Sequence, residues 1–431
     1  MRLVTHSGIS MSSMSERSNT YRWIVVGCSF LVLFVSQGMT LGGLQVFDEK
    51  LMNHLSEVSG EPVSIGAFKG GLLIMFLTAG LFGMVAGWLC DKVGPRKLIF
   101  TGLALLAVGN YLYSDVQTLE HVYWISFLYG IVLVLCGLMI NVYLVSSWFT
   151  KKRGLAIGLV LAGTSLGNAA FPKLNGWLML TMDWQVVFTW VAWIPLLIIP
   201  VLFFFLKDSP STQGGEADAV GGLPQLTGYS LKEALLSRNF WILAIIAMCT
   251  FYGILGLSGN TFLFFRSQGY SEASSGWAIS IIFLGGLIGK LASGYLAENF
   301  GRKKVLLISL LMMLLGIAAM LGAIFTSGSI LLWGGLVIFG FGWGGIYTLI
   351  QVLAADLFGM LALGKILGVI NVLDTLGGAA GPVVTGIMVD RTQSYLQPFI
   401  VITVLLLIAT IAASLLDMSK GVYHEFDSEA D

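Results

Sequence analysis

Charge is scarce in this chain. Asp, Glu, Lys and Arg make up 11% of its 431 residues, against roughly 25% in a soluble globular domain. A soluble fold of this size would lack the polar surface it needs, so that class is excluded. The charges also cancel, 23 basic against 23 acidic, which leaves no footprint for nucleic acid. Cysteine is nearly absent: Cys28, Cys90, Cys136 and Cys249 stand far apart inside apolar runs, with neither a disulfide framework nor metal-ligand spacing. The histidines are equally scattered, His6 and His424 in polar tails, His54 and His121 between apolar runs. No catalytic constellation forms, so no enzyme, metal or other cofactor is expected. A phosphate-cradling GxxxxGK[ST] loop is missing, which removes ATP as a direct energy source. No cleavable leader is expected either, because the first 20 residues are polar and the first apolar run is longer than a leader's core.

Apolar length is what the chain has. Hydrophobic residues reach 56%, mean hydropathy is +0.87, and there are 54 glycines, which suit helices that approach closely in lipid. A spanning helix needs about 20 mostly apolar residues. Such runs fall near 22–46, 67–89, 98–115, 122–146, 154–180, 185–206, 240–264, 275–297, 305–326, 329–353, 365–388 and 396–416. An all-α membrane protein of twelve spans is predicted. With the N-terminus in the cytoplasm, seventeen of the 23 Lys and Arg residues fall in cytoplasmic segments, so both termini are expected inside. The organisation read from this pattern is a tail (1–20), six spans (21–206), a linker (207–239), six more spans (240–416) and an acidic tail (417–431). The linker begins Pro/Gly/Ser-rich and flexible, then reads as a short surface helix, SLKEALLSRNFW.

One phrase is written twice. GWLCDKVGPRK (87–97) returns as GYLAENFGRKK (294–304), 207 residues later. A second match aligns Ser147-Trp148-Phe149, Gly154 and Gly158 with Asp356-Leu357-Phe358, Gly364 and Gly368. Two pseudo-symmetric halves follow, as in many transporters.

With both copies of that acid–glycine–basic turn set between helices, residues 20–416 resemble the major facilitator superfamily. Pro95 stands where that family often has Arg, and DKVGPRK resembles the branch of monocarboxylate porters and oxalate:formate antiporters. So do WFTKKRGLAIGLVLAGTSLGN (148–168), LKEALLSRNFW (231–241) and FGWGGIYTL (341–349). The resemblance implies two six-helix bundles. Spans 1, 4, 7 and 10 would line a central cavity, 2, 5, 8 and 11 would flank it, and the others would face lipid.

Ionisable side chains deep in lipid cost at least about 2.5–3.5 kcal/mol and usually mark a function or a fixed ion pair. Lys290 precedes the surface residue Glu298 by eight positions, about 12 Å of helix, which places it near the midplane. Carboxylate-transporting relatives carry an arginine at this point of the helix, so Lys290 is a candidate substrate ligand; the alternative is a structural pair with Asp374. Asp374 is the candidate proton-coupling group. Oxalate transporters carry a second cation in this helix, and Asn371 and Asp374 stand there instead, which argues against a dianion. Trp343 and Tyr347 repeat the W-x-x-x-Y spacing of those relatives' cavity and share a helical face. Asn141 and Tyr143 are further candidates, although two-residue spacing turns them apart. Gln45 and Asn260 are weaker ones. Lys69 and Lys173, near outer helix ends, are expected to snorkel, with Lys173 also able to attract anions. Gly158, Gly163 and Gly167 read as a packing stripe, and span five lacks the GPxxGG of drug antiporters.

By the same resemblance, Asp91 should meet the start of span eleven, braced by Arg153, and Glu298 should meet the start of span five. With Arg96, Lys97, Lys303 and Lys304 these form a conformational gate. The expected protein is a monomeric secondary transporter of the bacterial inner membrane. It would move a small organic anion, a monocarboxylate first, with protons as a further partner. A proton-coupled exporter of drug-like or neutral metabolites and a non-transporting receptor are the alternatives.

Overall fold

Lipid leaves no water for backbone groups, so a spanning chain satisfies them within helices. The computed structural model describes residues 11–149, 152–207, 228–326, 328–359 and 361–420, and among them regular structure is helical apart from one isolated bridge, Gly228–Gly359. In chain order the long helices are α1 (Tyr21–Gln45), α2 (Ile65–Val93), α3 (Pro95–Tyr113), α4 (Leu119–Trp148), α5 (Arg153–Leu178) and α6 (Trp184–Phe205). They continue as α7 (Arg238–Ser258), α8 (Glu272–Phe300), α9 (Arg302–Thr326), α10 (Ser329–Phe358), α11 (Leu363–Thr392) and α12 (Leu396–Ser414). Eleven of these are long and apolar enough to cross a membrane. The other is α3, which begins with Arg96 and Lys97 and carries Asn110; it holds the third place in its half, as α9 does in the second. The first part of the linker (208–227) and the acidic end (421–431) lie outside the described residues.

Polar residues at the edges of the apolar runs start the helices. The side chains of Ser64, Thr118, Ser237 and Ser271 accept from the backbone N–H three residues on, capping α2, α4, α7 and α8. The short helix Leu231–Leu236 opens with a full capping box between Ser230 and Glu233. The backbone hydrogen bonds of this box hold the Glu233 carboxyl below its ordinary value. The repeated turn has one conformation in both halves: Gly94 and Gly301 each end their helix at φ 87°, a region that strains any residue with a Cβ.

Packing repeats with the same offset. In the first half α1 packs on α5, α2 and α3 on α4, and α3 on α6; in the second α7 packs on α11, α8 and α9 on α10, and α9 on α12. The halves meet through α2 against α11 and α5 against α8. The glycine stripe of α5 serves the first set of contacts. A Cβ at Gly163 or Gly167 would strike the backbone of Phe30 or Phe34 in α1, whereas Gly158 faces open space.

A further amphipathic helix, Asp48–Ser59, follows α1; the sequence reading had only a loop there. It buries Asp48, and Lys69 is only 2% exposed because its ammonium pairs with the Asp48 carboxylate. Lys69 therefore does not snorkel. A nearby acid one helix away offered a better partner than the interface.

Candidate functional site

Four of the long helices are interrupted near where they would line a cavity. The run of α1 passes through a π-helix at Gly38–Gly42, α4 breaks at Gly137, and α10 breaks at Gly345. Beyond Gly259 and Asn260, α7 resumes as Thr261–Ser267. The breaks of α4 and α10 occupy equivalent places in the two halves. Side-chain amides patch the freed backbone. Asn168 Oδ1 accepts from Gly42 N at 2.7 Å, and Asn141 Nδ2 donates to Cys136 O and Gly137 O at 2.9 and 2.8 Å. Asn260 Nδ2 donates to Gly256 O at 2.9 Å and Pro382 O at 3.3 Å. Asn141 and Asn260 are thus buried in helix breaks. Asn141, expected to contact substrate, spends both donors on the carbonyls at the α4 break, while its Oδ1 is buried with no hydrogen-bond partner among the described residues. Gln45, also buried, lies beside Asp48 and Lys69 within the first bundle.

The two bundles touch in the half of the molecule away from the termini and part in the other. In the far half Arg266 forms a two-pronged pair with Glu49, at 2.6 and 3.2 Å, and donates a third bond to Tyr270 O. The Glu49 carboxylate holds the guanidinium above its ordinary value. Lys50 meets Glu272 at 3.4 Å. Asp390, in the last turn of α11, accepts from Ile65 N and Gly66 N at 2.8 and 2.7 Å, so the end of α11 caps the start of α2. Ser280 of α8 donates to Ala169 O of α5 at 2.6 Å. In the termini half, by contrast, Gly83, Gly154, Gly158, Gly294, Gly364 and Gly368 on those same four helices have nothing beside them within 4 Å. The molecule is a V closed at the far side.

Lys290 sits ten residues from the termini-side end of α8 and Asp374 eleven from that of α11, so both lie about 15 Å in, near mid-depth. Lys290 follows Phe283 by seven and Gly286 by four, so the three share a face. Trp343 lies along that face, its ring 5.2 Å from that of Phe283 and its indole nitrogen over Gly286. Lys290 makes no hydrogen bond or ion pair among the described residues, and in particular none with Asp374. Asp374 is 6% exposed and accepts from the Thr375 hydroxyl at 3.2 Å. Tyr347 is within electrostatic reach of Asp374 and hydrogen-bond reach of Gln351, and its ring meets Phe251 of α7 at 5.8 Å. The α10 break falls between Trp343 and Tyr347, so one leans on α8 and the other on α7. Tyr143 and Asn371 are half-buried in α4 and α11.

The doubled turn divides its labour. Arg96 donates to Phe203 O and lies over the rings of Phe100 and Phe203, at 5.4 and 4.8 Å from their centroids. Its counterpart Lys303 donates to Ser414 O and Leu416 O at 2.9 and 2.6 Å. Each therefore clamps the carbonyl end of the last helix of its own bundle, where a cation is favoured. Through these bonds Arg96 and Lys303 each tie the turn to the last helix of its own bundle. Lys97, Glu298 and Lys304 are exposed and make no side-chain bond among the described residues. The Asp91 and Arg153 side chains lie outside the described atoms. Arg302 pairs with Asp356.

A family model described as Major Facilitator Superfamily matches residues 27–372 and 263–429. The chain belongs to that superfamily. Its members are transporters and not enzymes. The chain is 27% identical over 337 residues to an oxalate:formate antiporter of Oxalobacter formigenes, covering 77% of each. It is 26% identical to monocarboxylate transporter 13 of Rattus norvegicus, covering 73% of this chain and 71% of that one. It is 26% identical to the uncharacterized MFS-type transporter YhjX of Escherichia coli, covering 73% and 77%. Among solved structures it superposes on a bacterial homologue of the human lysosomal transporter Spinster, inward-facing and occupied. There the TM-score is 0.69 at 16% identity, over 91% of this chain and 96% of that one.

The far-side knot was missed at the sequence level. In the sequence Asp48-Glu49-Lys50 stand between two apolar runs and Arg266, Glu272 and Asp390 at the edges of others, with no pattern that pairs them. The available signal was their number, since charges opposite the basic side need partners.

Proposed function

We propose that this superfamily member is a secondary transporter that moves a small organic anion of the monocarboxylate class by alternating access. The observation that carries the reading is the Lys290 ammonium, which has no ion pair or hydrogen bond among the described residues and lies about mid-depth in α8. An unpaired cation in that place is costly unless an anion joins it, and one lysine rather than two cations fits one carboxylate. Trp343 would cover the apolar part of the substrate, with Tyr347, Tyr143 and Asn371 as further contacts. Asp374, buried with one hydroxyl as its partner, would carry the coupled proton. Relatives whose names give oxalate, formate and monocarboxylates as cargo support the anion class. The bundles, 21–206 and 240–416, would rock as units about the 207–239 linker. Both termini would lie in the cytoplasm of a bacterial inner membrane, by the distribution of Lys and Arg; the V then opens inward.

The test is uptake of labelled formate, acetate, lactate, pyruvate and oxalate into proteoliposomes with and without a pH gradient. Saturable uptake of a monoanion that Lys290→Gln abolishes is expected. Uptake of neutral compounds alone, unaffected by Lys290→Gln, would overturn the reading.

A further inference from the structure

A groove of about 170 Å³ opens between α5 and α8 in the far half, with Pro172, Lys173, Trp177, Leu180, Phe262 and Gly276 in its walls. Its outer rim is apolar and exposed, with Trp177 at 66%, Leu180 at 76% and the adjoining Trp277 at 53%. The Lys173 ammonium lies 3.2 Å from the centroid of the Trp277 ring and makes no ion pair or hydrogen bond among the described residues. The acid that also lines the groove, Glu272, is engaged by Lys50 at 3.4 Å. The groove therefore offers one uncompensated cation, steadied on an indole face and open on its outer side.

Depth identifies what such a cation meets. The 26 residues of α5 and 29 of α8 extend about 39 and 44 Å, the thickness of a bilayer with its headgroups. Lys173 stands five residues before the end of α5 and Trp277 five after the start of α8. Both are about 7.5 Å inside the helix ends, where headgroups give way to hydrocarbon. Indoles favour this level, and an ammonium there can form a charge-assisted hydrogen bond to a lipid phosphate.

We propose that this groove is a phospholipid site: Lys173 holds the phosphodiester of a lipid in the far-side leaflet, and its acyl chain lies along Trp177 and Leu180. Free phosphate would satisfy the same ammonium, but would leave the exposed indole and leucine uncovered. The site is separate from Lys290, which follows Gly276 of the groove by fourteen residues of α8, about 21 Å.

Native mass spectrometry of the full-length protein, titrated with dioleoyl phosphatidylglycerol or dioleoyl glycerol, tests this. The first phospholipid should bind more tightly than the phosphate-free lipid. Lys173→Gln should weaken that first binding about fivefold, the equivalent of about 1 kcal/mol per basic residue near the surface. Lys173→Arg should keep it, which separates loss of charge from misfolding. Excess inorganic phosphate should not displace the lipid; if it does, free phosphate is the ligand and the proposal fails. Equal binding of the two lipids by the unaltered protein, or an unchanged preference in Lys173→Gln, also overturns it.

Discussion

Removing the Asp390 carboxylate should open the far side. In the closed state it accepts two backbone N–H bonds from the first turn of α2, at 2.8 and 2.7 Å. Both are charge-assisted and placed where the helix carries its positive end. Water replaces them when the bundles part, so only the net difference counts, about 2 kcal/mol for such a partly buried contact. Asp390→Ala should therefore shift the ratio of closed to open far side about 30-fold. The Glu49–Arg266 pair is worth less per charge, because its side chains are 35% and 31% exposed. Two-pronged geometry keeps it near the upper end of surface pairs, about 1 kcal/mol. Taken as additive, the two losses in Asp390→Ala with Arg266→Met should shift the ratio about 150-fold. Spin labels at Glu57 and Gln268, both exposed on opposite bundles, would read this as a longer component in pulsed-dipolar distance distributions. Distributions that coincide in the unaltered protein and the double variant would refute the latch.

Three other outcomes follow from the site and the topology. Lys290→Gln should abolish anion-driven uptake while Lys290→Arg retains part of it; recovery in Lys290→Gln with Asp374→Asn would instead mark the two as partners in another conformation. Asp374→Asn should remove accumulation driven by a pH gradient but leave substrate exchange, as compared in loaded vesicles. A reporter joined after Lys420 should be active only in the cytoplasm, and periplasmic activity there would overturn the proposed orientation.

The helices were legible because a bilayer leaves one option for an apolar run of that length. The breaks in α4 and α10 were not, since a glycine in a membrane helix bends it only if its neighbours let it. Gly163 and Gly167 read correctly as packing sites, and Lys290 and Asp374 stood out because charge in lipid has few explanations. The bonds of Asn141 were not legible, because an amide that donates to a helix break looks, in sequence, like one that faces a cavity. The partners of Arg96 and Lys303 were not legible for a different reason: a basic residue after a glycine turn can reach either bundle, and which carbonyl end lies within its reach is a tertiary fact. Lys69 belongs here too, because its partner Asp48 sits on a helix that no long apolar run announces.

The pseudo-symmetry breaks at the latch. Stepping 207 residues back from Asp390 gives Asp183, placed after α5 as Asp390 is placed at the end of α11. By symmetry it should cap the start of α8 as Asp390 caps the start of α2. It does not: Asp183 is exposed and its side chain caps nothing. Each start is capped by its own serine, Ser64 and Ser271, but that of α8 already carries an acid, Glu272, which Lys50 neutralises from the other bundle at 3.4 Å. A carboxylate from Asp183 would meet Glu272 at that helix start, and like charges there repel. One flanking contact is thus held by an acid on backbone N–H groups, whereas α8 is tied to α5 by the Ser280 hydroxyl and, at its start, to the Asp48–Ser59 helix by a salt bridge. Salt screens an exposed ion pair more than bonds to backbone. Raising ionic strength should therefore loosen the start of α8 from the Asp48–Ser59 helix before it loosens α2 from α11, read from label pairs across each contact. Asp183→Asn should leave both distance distributions unchanged, whereas Asp390→Asn, which discards the charge but keeps one acceptor, should widen the α2–α11 pair. Equal responses to the two substitutions would mean that the acids act through overall charge and that Asp390 has no special hold on the start of α2.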